Sequence, residues 1–292
     1  MQNSFQTDLA NEARDLWQRS ARAPLRGLAA HREDRQGFPV DVVEIRDEAA
    51  ANELCKPMGR YVTMELDGLL RREEDAFARA CAVLSGELRR QLALSPGEGV
   101  LVVCLGNADI TPDAVGPLTA GHVLVTRHLK ERMPETFAAF RPVSVFRAGV
   151  LGTTGMESAP LTAAAARIAR PGKVVAVDAL AARETARLCR AVQVTDAGIV
   201  PGSGVGNARS ALNRETLGLP VVAVGVPTVV DARIMCADML GAEPEGVEAG
   251  EMFVTPRDID SRVRDAARLV GYAINLALHD GMTIGDIDMY LS

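Results

Sequence analysis

The stretch Val100–Pro117, V-L-V-V-C-L-G-N-A-D-I-T-P-D-A-V-G-P, decides the fold. Its first residues, Val100–Leu105, form an unbroken β-branched and leucine run, which is how a strand buried on both faces reads. Gly106 and Asn107 end the run, and Asp113 follows. Val174–Arg183, V-V-A-V-D-A-L-A-A-R, has the same layout, with a buried strand over Val174–Val177 and then Asp178. Further apolar runs at Ala191–Val194 and Val221–Val226 read as strands. Between them, Val115–Lys130 contains a helix whose start Pro117 confines to the first turn, and Ala159–Ala169 is alanine-rich and helical. Buried strands alternating with helices imply parallel pairing with right-handed crossovers. The expectation is one three-layer α/β/α domain with a mostly parallel sheet.

Working outward, Glu73–Leu94 reads as a long amphipathic helix stopped by Ser95-Pro96-Gly97. Val40–Ile45 and Tyr61–Leu66 read as short, antiparallel strands, forming a small appended hairpin or sheet edge. Residues 21–39 read as a polar loop, and residues 8–20 as a helix. Pro256–His279 closes the chain as a helix with Ile259, Val263, Ala266, Ala267, Val270, Ile274 and Leu278 on one face.

Composition narrows the function classes. The chain has 292 residues, of which 48% are hydrophobic, so it can bury a large core. A net charge of -6 disfavours direct binding to a nucleic-acid backbone. No apolar run is long enough to span a membrane, and the N-terminus lacks the basic start and apolar stretch of a secretory signal. Five scattered cysteines without a C-x-x-C pair fit a reduced, cytoplasmic setting rather than a disulfide framework. The four histidines show no H-E-x-x-H pattern, so no metal site is expected and no cofactor. No G-x-S-x-G elbow is present.

Two carboxylates placed after buried strands suggest hydrolysis, because ligands collect at the carboxyl ends of strands in open α/β sheets. If Asp113 and Asp178 meet, they cannot easily both ionise. The pair would then hold one proton and act as acid and base on a water attacking a peptide carbonyl. Otherwise each caps a following helix. Asn107 is a turn residue or faces the same pocket. Asp196, in T-D-A-G, is a further candidate. Asp231 reads as a cap or an outer supporting group. The loop Pro201–Asn207, P-G-S-G-V-G-N, is a tight turn or presents backbone amides to a substrate through Gly202, Gly204 and Gly206.

Several segments together resemble one family. Thr7-Asp8-Leu9-Ala10, Gly59-Arg60-Tyr61-Val62-Thr63, Leu105-Gly106-Asn107, Thr111-Pro112-Asp113-Ala114, Thr126-Arg127-His128-Leu129, Gly149–Glu157, Asp178–Arg183, Pro201–Asn207, Glu215–Gly218, Gly225–Asp231 and Val254–Pro256 run in order along the chain. They are similar to the germination proteases of spore-forming bacteria. The resemblance implies an endopeptidase that starts the degradation of small acid-soluble spore proteins during germination. Its fold would be similar to that of hydrogenase maturation proteases, its subunits would form a homotetramer, and it would work in the cytoplasm of the forespore and spore core. The family's two essential aspartates fall on Asp113 and Asp178, with Asn107, Thr111 and Asp196 as supporting groups. The resemblance also implies a self-processing zymogen, with residues 1–8 as a propeptide cut between Asp8 and Leu9, and 9–292 as a single peptidase domain. Cys104 and Ala148 depart from the family's usual glycine and proline, and the segment between Asp231 and Val254 is short. Two rival readings remain. One is a metal-dependent maturation-type endopeptidase, since the L-G-N…D layout also resembles that class. The other is an inactive sporulation protein that binds a partner.

Overall fold

The structure, a computed structural model, describes residues 7–20, 24–240 and 252–292. Among these, nine strands form a single sheet: β1 Leu28–Arg35, β2 Phe38–Ile45, β3 Gly59–Glu65, β4 Val100–Leu105, β5 Val143–Gly149, β6 Lys173–Ala182, β7 Ala191–Thr195, β8 Val221–Asp231 and β9 Phe253–Val254. Their order is β1-β2-β3-β7-β8-β6-β4-β5, with β9 paired to β8. The sheet is mixed. β5, β4, β6 and β8 run parallel to one another, whereas β7, β3, β2 and β1 continue the sheet beyond β8 in antiparallel steps and β9 joins β8 antiparallel.

The parallel half follows from the runs read in the sequence. All six residues of β4 are buried, and they divide by alternation between two layers. Val100, Val102 and Cys104 meet the helices Ala76–Leu92 and Ile259–Leu278 on one face. Leu101, Val103 and Leu105 pack on the other with Ala159 and Ala166 of the helix Ser158–Ala169. The three-layer α/β/α architecture is therefore present. All seven positions expected on one face of the closing helix are buried.

Three expectations need correction. The loop assigned to residues 21–39 contains β1, an edge strand whose sequence, L-A-A-H-R-E-D-R, is mostly exposed and whose ladder to β2 spans Leu28 to Arg35. Charged residues are the usual dress of a sheet edge, so composition reads as loop. β7 is buried throughout but antiparallel to both neighbours. It joins the expected hairpin β2–β3 to the body as one continuous sheet. Finally, β6 and β8 run past the predicted ends, to Ala182 and Asp231, with a register shift after Leu180. Asp178 thus lies inside a strand rather than after it. Residues 1–6 of the expected propeptide, and 241–251 of the short segment before Val254, lie outside the described residues.

Candidate active site

β4 leads outward to β5, whereas β6 returns to the opposite side of β4. Their carboxyl ends part at a topological switch point, where open α/β sheets form a crevice. The register pairs Cys104 with Val177, so the turn leaving β4 stands beside Asp178. Asp113 sits in that turn, in the short 3-10 segment Thr111–Asp113. Its Oδ2 accepts the Asn107 backbone N–H at 2.8 Å. Asp113 therefore does not cap the following helix, and Asp178, being in a strand, has none to cap. A Cβ added to Gly106 would stand 2.0 Å from the Asp113 carbonyl oxygen, so the turn closes on Asp113 only because position 106 is glycine.

Both carboxylates line a cavity of about 560 Å³, together with Asn107, Thr228, Val205 and Asp8. Burial raises the pKa of Asp178 well above the usual 3.8, the neighbouring Asp113 raises it further, and only the Ala179 backbone N–H and its bond to Oδ1 oppose this. Burial also raises Asp113, against the opposing pull of the Asn107 N–H. Two acids facing one cavity, both biased toward the protonated form, can share one proton. Among the described residues, no three His, Cys, Asp or Glu side chains are grouped to hold a metal ion.

The N-terminal segment reaches the same cavity. The Asp8 N–H donates to the Ala181 carbonyl at 2.9 Å, and the Ala181 N–H returns a bond to Asp8 Oδ2 at 2.8 Å. Ser203 Oγ donates to Asp8 Oδ1 at 2.7 Å. Gln193 spans the segment, donating to the Asp8 carbonyl at 3.1 Å and accepting from the Ala10 N–H at 2.8 Å. Leu9 is fully buried against Leu180, Ala182, Leu188 and Val230. One turn further on, the buried Glu12 carboxylate accepts the N–H groups of Arg183 and Glu184 and the Thr7 hydroxyl.

Other candidate residues fall elsewhere. Thr111 donates its hydroxyl to Asp260, fastening the turn to the closing helix. Asp196 accepts the Arg60 N–H at 2.7 Å at the start of β3, and neither residue lines the cavity. Neither supports the carboxylate pair by contact. Asp231 caps the helix Ala232–Leu240 by accepting the Arg233 N–H. In the glycine loop, Gly202 and Gly206 adopt positive φ, as a tight turn requires, while Gly204 lies against Asp8 and Ala181. Sequence reasoning missed Thr228. It is the residue skipped where β6 and β8 shift register, and its buried hydroxyl, without a hydrogen-bond partner among the described residues, is on the cavity wall. A lone threonine in the apolar run Gly225–Val230 was the available signal, and β-bulges re-aim side chains in this way.

The fold is an open α/β sheet with an acidic crevice at its switch point. The model of the family described as "Germination protease" matches residues 6–241. The chain is 36% identical over 98% of its length to the germination protease of Caldanaerobacter subterraneus, covering 98% of that protein. It is 33% identical over 99% of both chains to that of Clostridium perfringens strain SM101. It is 39% identical to that of a Geobacillus strain, over 81% of this chain and 66% of the relative. The chain belongs to the germination protease family. Among solved structures, the NiFe hydrogenase maturation protease HycI of Thermococcus kodakarensis matches 64% of this chain and 98% of its own, at a TM-score of 0.35 and 19% identity.

Proposed function

We propose that this protein is an endopeptidase that starts the degradation of small acid-soluble spore proteins during germination, and that Asp113 and Asp178 activate the attacking water as a pair. The observation that carries this reading is the meeting of two aspartates of raised pKa at the switch-point crevice. Asp178 is the more deeply buried and sits beside a second carboxylate, so it holds the shared proton. Asp113 keeps its charge and takes a proton from water as the oxygen attacks the peptide carbon. Asp178 passes its proton to the carbonyl oxygen, giving a neutral tetrahedral diol. Collapse of the diol returns that proton to Asp178, while Asp113 gives its own to the leaving amine. Both groups end as they began.

The same reading makes the full-length chain a zymogen that cuts itself between Asp8 and Leu9, works as a homotetramer and resides in the forespore and spore core. Support for the zymogen comes from Asp8, which lies in the cavity of its own carboxylate pair.

The test is peptide mapping by mass spectrometry of a small acid-soluble spore protein incubated with the protein, with Asp113→Asn and with Asp178→Asn. Each substitution is expected to slow cleavage by about 10²–10⁴-fold, the usual share of general acid–base catalysis. Undiminished cleavage by either variant removes that residue from the mechanism. Loss of activity with a chelator and recovery with a divalent metal would replace the pair mechanism with a metal-dependent one.

A further inference from the structure

One polar group in the crevice has no use in the fold. Thr228 has 1% of its surface exposed, and its Oγ1 has no hydrogen-bond partner among the described residues. A buried hydroxyl left unpartnered destabilises the chain that carries it, so it calls for a reason. Of the buried side-chain atoms in this state among the described residues, this one alone belongs to a residue lining the cavity of Asp113 and Asp178. The chain also fixes where the hydroxyl stands. Thr228 falls between the pairs Leu180–Pro227 and Ala181–Val229, where the register of β6 and β8 shifts. The Cys189 N–H donates to the Pro227 carbonyl at 2.6 Å, and the Thr255 hydroxyl to the Thr228 carbonyl at 2.9 Å. Two successive carbonyls brace the bulge, and a β-branched side chain has little freedom at χ1. The turn Thr111–Asp113 lies against both β6 and β8, which brings Asp113 to the same strand ends. Much of the remaining wall is apolar, with Leu105, Ile110, Val205 and Val229. A water held in such a place needs about three hydrogen bonds, and apolar side chains supply none.

We propose that Thr228 is a further catalytic residue, whose hydroxyl accepts a hydrogen bond from the attacking water and holds it for the aspartate pair. This rests on the peptidase reading and adds a third anchor to the two carboxylates. In that reaction Asp113 removes one proton of the water as the oxygen bonds to the peptide carbon. The other proton stays on the oxygen, and it is the one that Thr228 accepts. With one proton toward Asp113 and the other toward Thr228, a lone pair is left for the substrate carbon. The contact persists in the diol, where the same proton belongs to a hydroxyl. Thr228 gains and loses no proton, so the cycle balances as before. A dipole fixed in place before substrate arrives orients the water without reorganising the site.

The test separates the hydroxyl from the shape of the side chain. Cleavage of a small acid-soluble spore protein is timed over a range of its concentrations with the protein, with Thr228→Val and with Thr228→Ser. The first substitution keeps the branched shape and removes the hydroxyl, and the second keeps the hydroxyl. Thr228→Val should lower kcat by about tenfold or more, the worth of one hydrogen bond to the reacting oxygen. Its KM should change by less than about twofold, since the contact is to water rather than to substrate. Thr228→Ser should stay within about threefold of the parent in kcat. Thermal unfolding gives a second readout. Thr228→Val should unfold at the same temperature or a higher one, because it removes an unpartnered buried group, and slow turnover by a chain so folded is loss of chemistry. If Thr228→Val fails to fold, Thr228→Ala takes its place, with Thr228→Ser still the control. Full turnover without the hydroxyl overturns the role. So does a rise in KM at unchanged kcat, which marks a wall for substrate instead. A parent chain that cleaves nothing sinks the peptidase reading and this role with it. A parent that cleaves, matched by an equally fast Thr228→Val, leaves that reading standing and sinks the role of Thr228 alone.

Discussion

A carboxylate with 5% of its surface exposed, set beside a second carboxylate, opposes its own ionisation twice. The proposed chemistry of the pair uses this bias, and stability suffers from it. Folding raises the pKa of Asp178 above 3.8, so the folded chain binds more protons than the unfolded one above that pH. Stability from this group is full below pH 3.8 and is lost as pH rises toward its folded value. Asp178→Asn removes the penalty, so it should raise Tm at pH 8 and change it little at pH 4. Each kcal/mol recovered is worth roughly 2–4 °C in a chain of this size. Differential scanning calorimetry at the two pH values checks this, and a Tm gain equal at both would show that Asp178 is not a buried charge. The sequence made the pair legible because each aspartate ends or follows an apolar run, and such runs mark strands. It could not show that β5 lies on one side of β4 and β6 on the other, which is what brings the two together. Ser203 and Thr228 lie inside segments singled out in the sequence, Pro201–Asn207 and Gly225–Asp231, but nothing there marks either side chain. One reaches the site through a loop and the other through a register shift, and neither leaves a periodic trace.

The N-terminal segment is fastened to the sheet by one backbone bond to Ala181 and by side chains. Gln193, on β7, is its central clamp, with one amide group serving both the Asp8 carbonyl and the Ala10 N–H. Gln193→Met keeps the apolar bulk and orphans both groups, at about 1–3 kcal/mol for each that stays buried. The loss should be local. Amide hydrogen exchange over the helix Ala10–Ser20 should quicken, with a much smaller fall in global stability. Unchanged exchange there would mean that Leu9 burial and the Glu12 contacts hold the segment alone. Elements differ in how much of themselves they show in sequence. The inner parallel strands β4, β6 and β8 declare themselves, because burial on both faces demands a continuous apolar run. β7 makes the same demand and still runs the other way, since burial does not encode direction. β1 hides because its charged residues protect an open edge.

At the scale of the whole molecule, the antiparallel flank and the helical layer are locked together by one acid. Glu87, on the helix Ala76–Leu92, has 2% of its side chain exposed and meets Arg35 of β1 at 2.8 Å and Arg60 of β3 at 3.1 Å. Arg60 also pairs with Glu44 of β2 at 2.7 Å, and Gln91 donates to Glu87 at 3.0 Å. Burial pushes the Glu87 pKa up, but the hydrogen bonds from Gln91, Arg35 and Arg60 outweigh it, and the net shift is downward from 4.5. The linkage therefore has the opposite sign to that of Asp178. Stability from Glu87 is present above pH 4.5 and is lost as pH falls through its lowered folded value. Asp113, Asp178 and Glu12 favour low pH, while this network favours neutral pH, and the most stable pH lies where the two trends cross. Glu87→Ala leaves two guanidinium groups without their buried partner. The cost near neutral pH should be about 3 kcal/mol, the lower end for a broken buried pair, because both arginines keep some contact with water. The deficit against the parent chain should shrink steadily in urea unfolding curves recorded at successively lower pH below 4.5. A deficit that stays constant down to acid unfolding would show that Glu87 contributes packing rather than charge, and that the flank is held to the helices by the apolar contacts of Phe38, Val40 and Val62 alone.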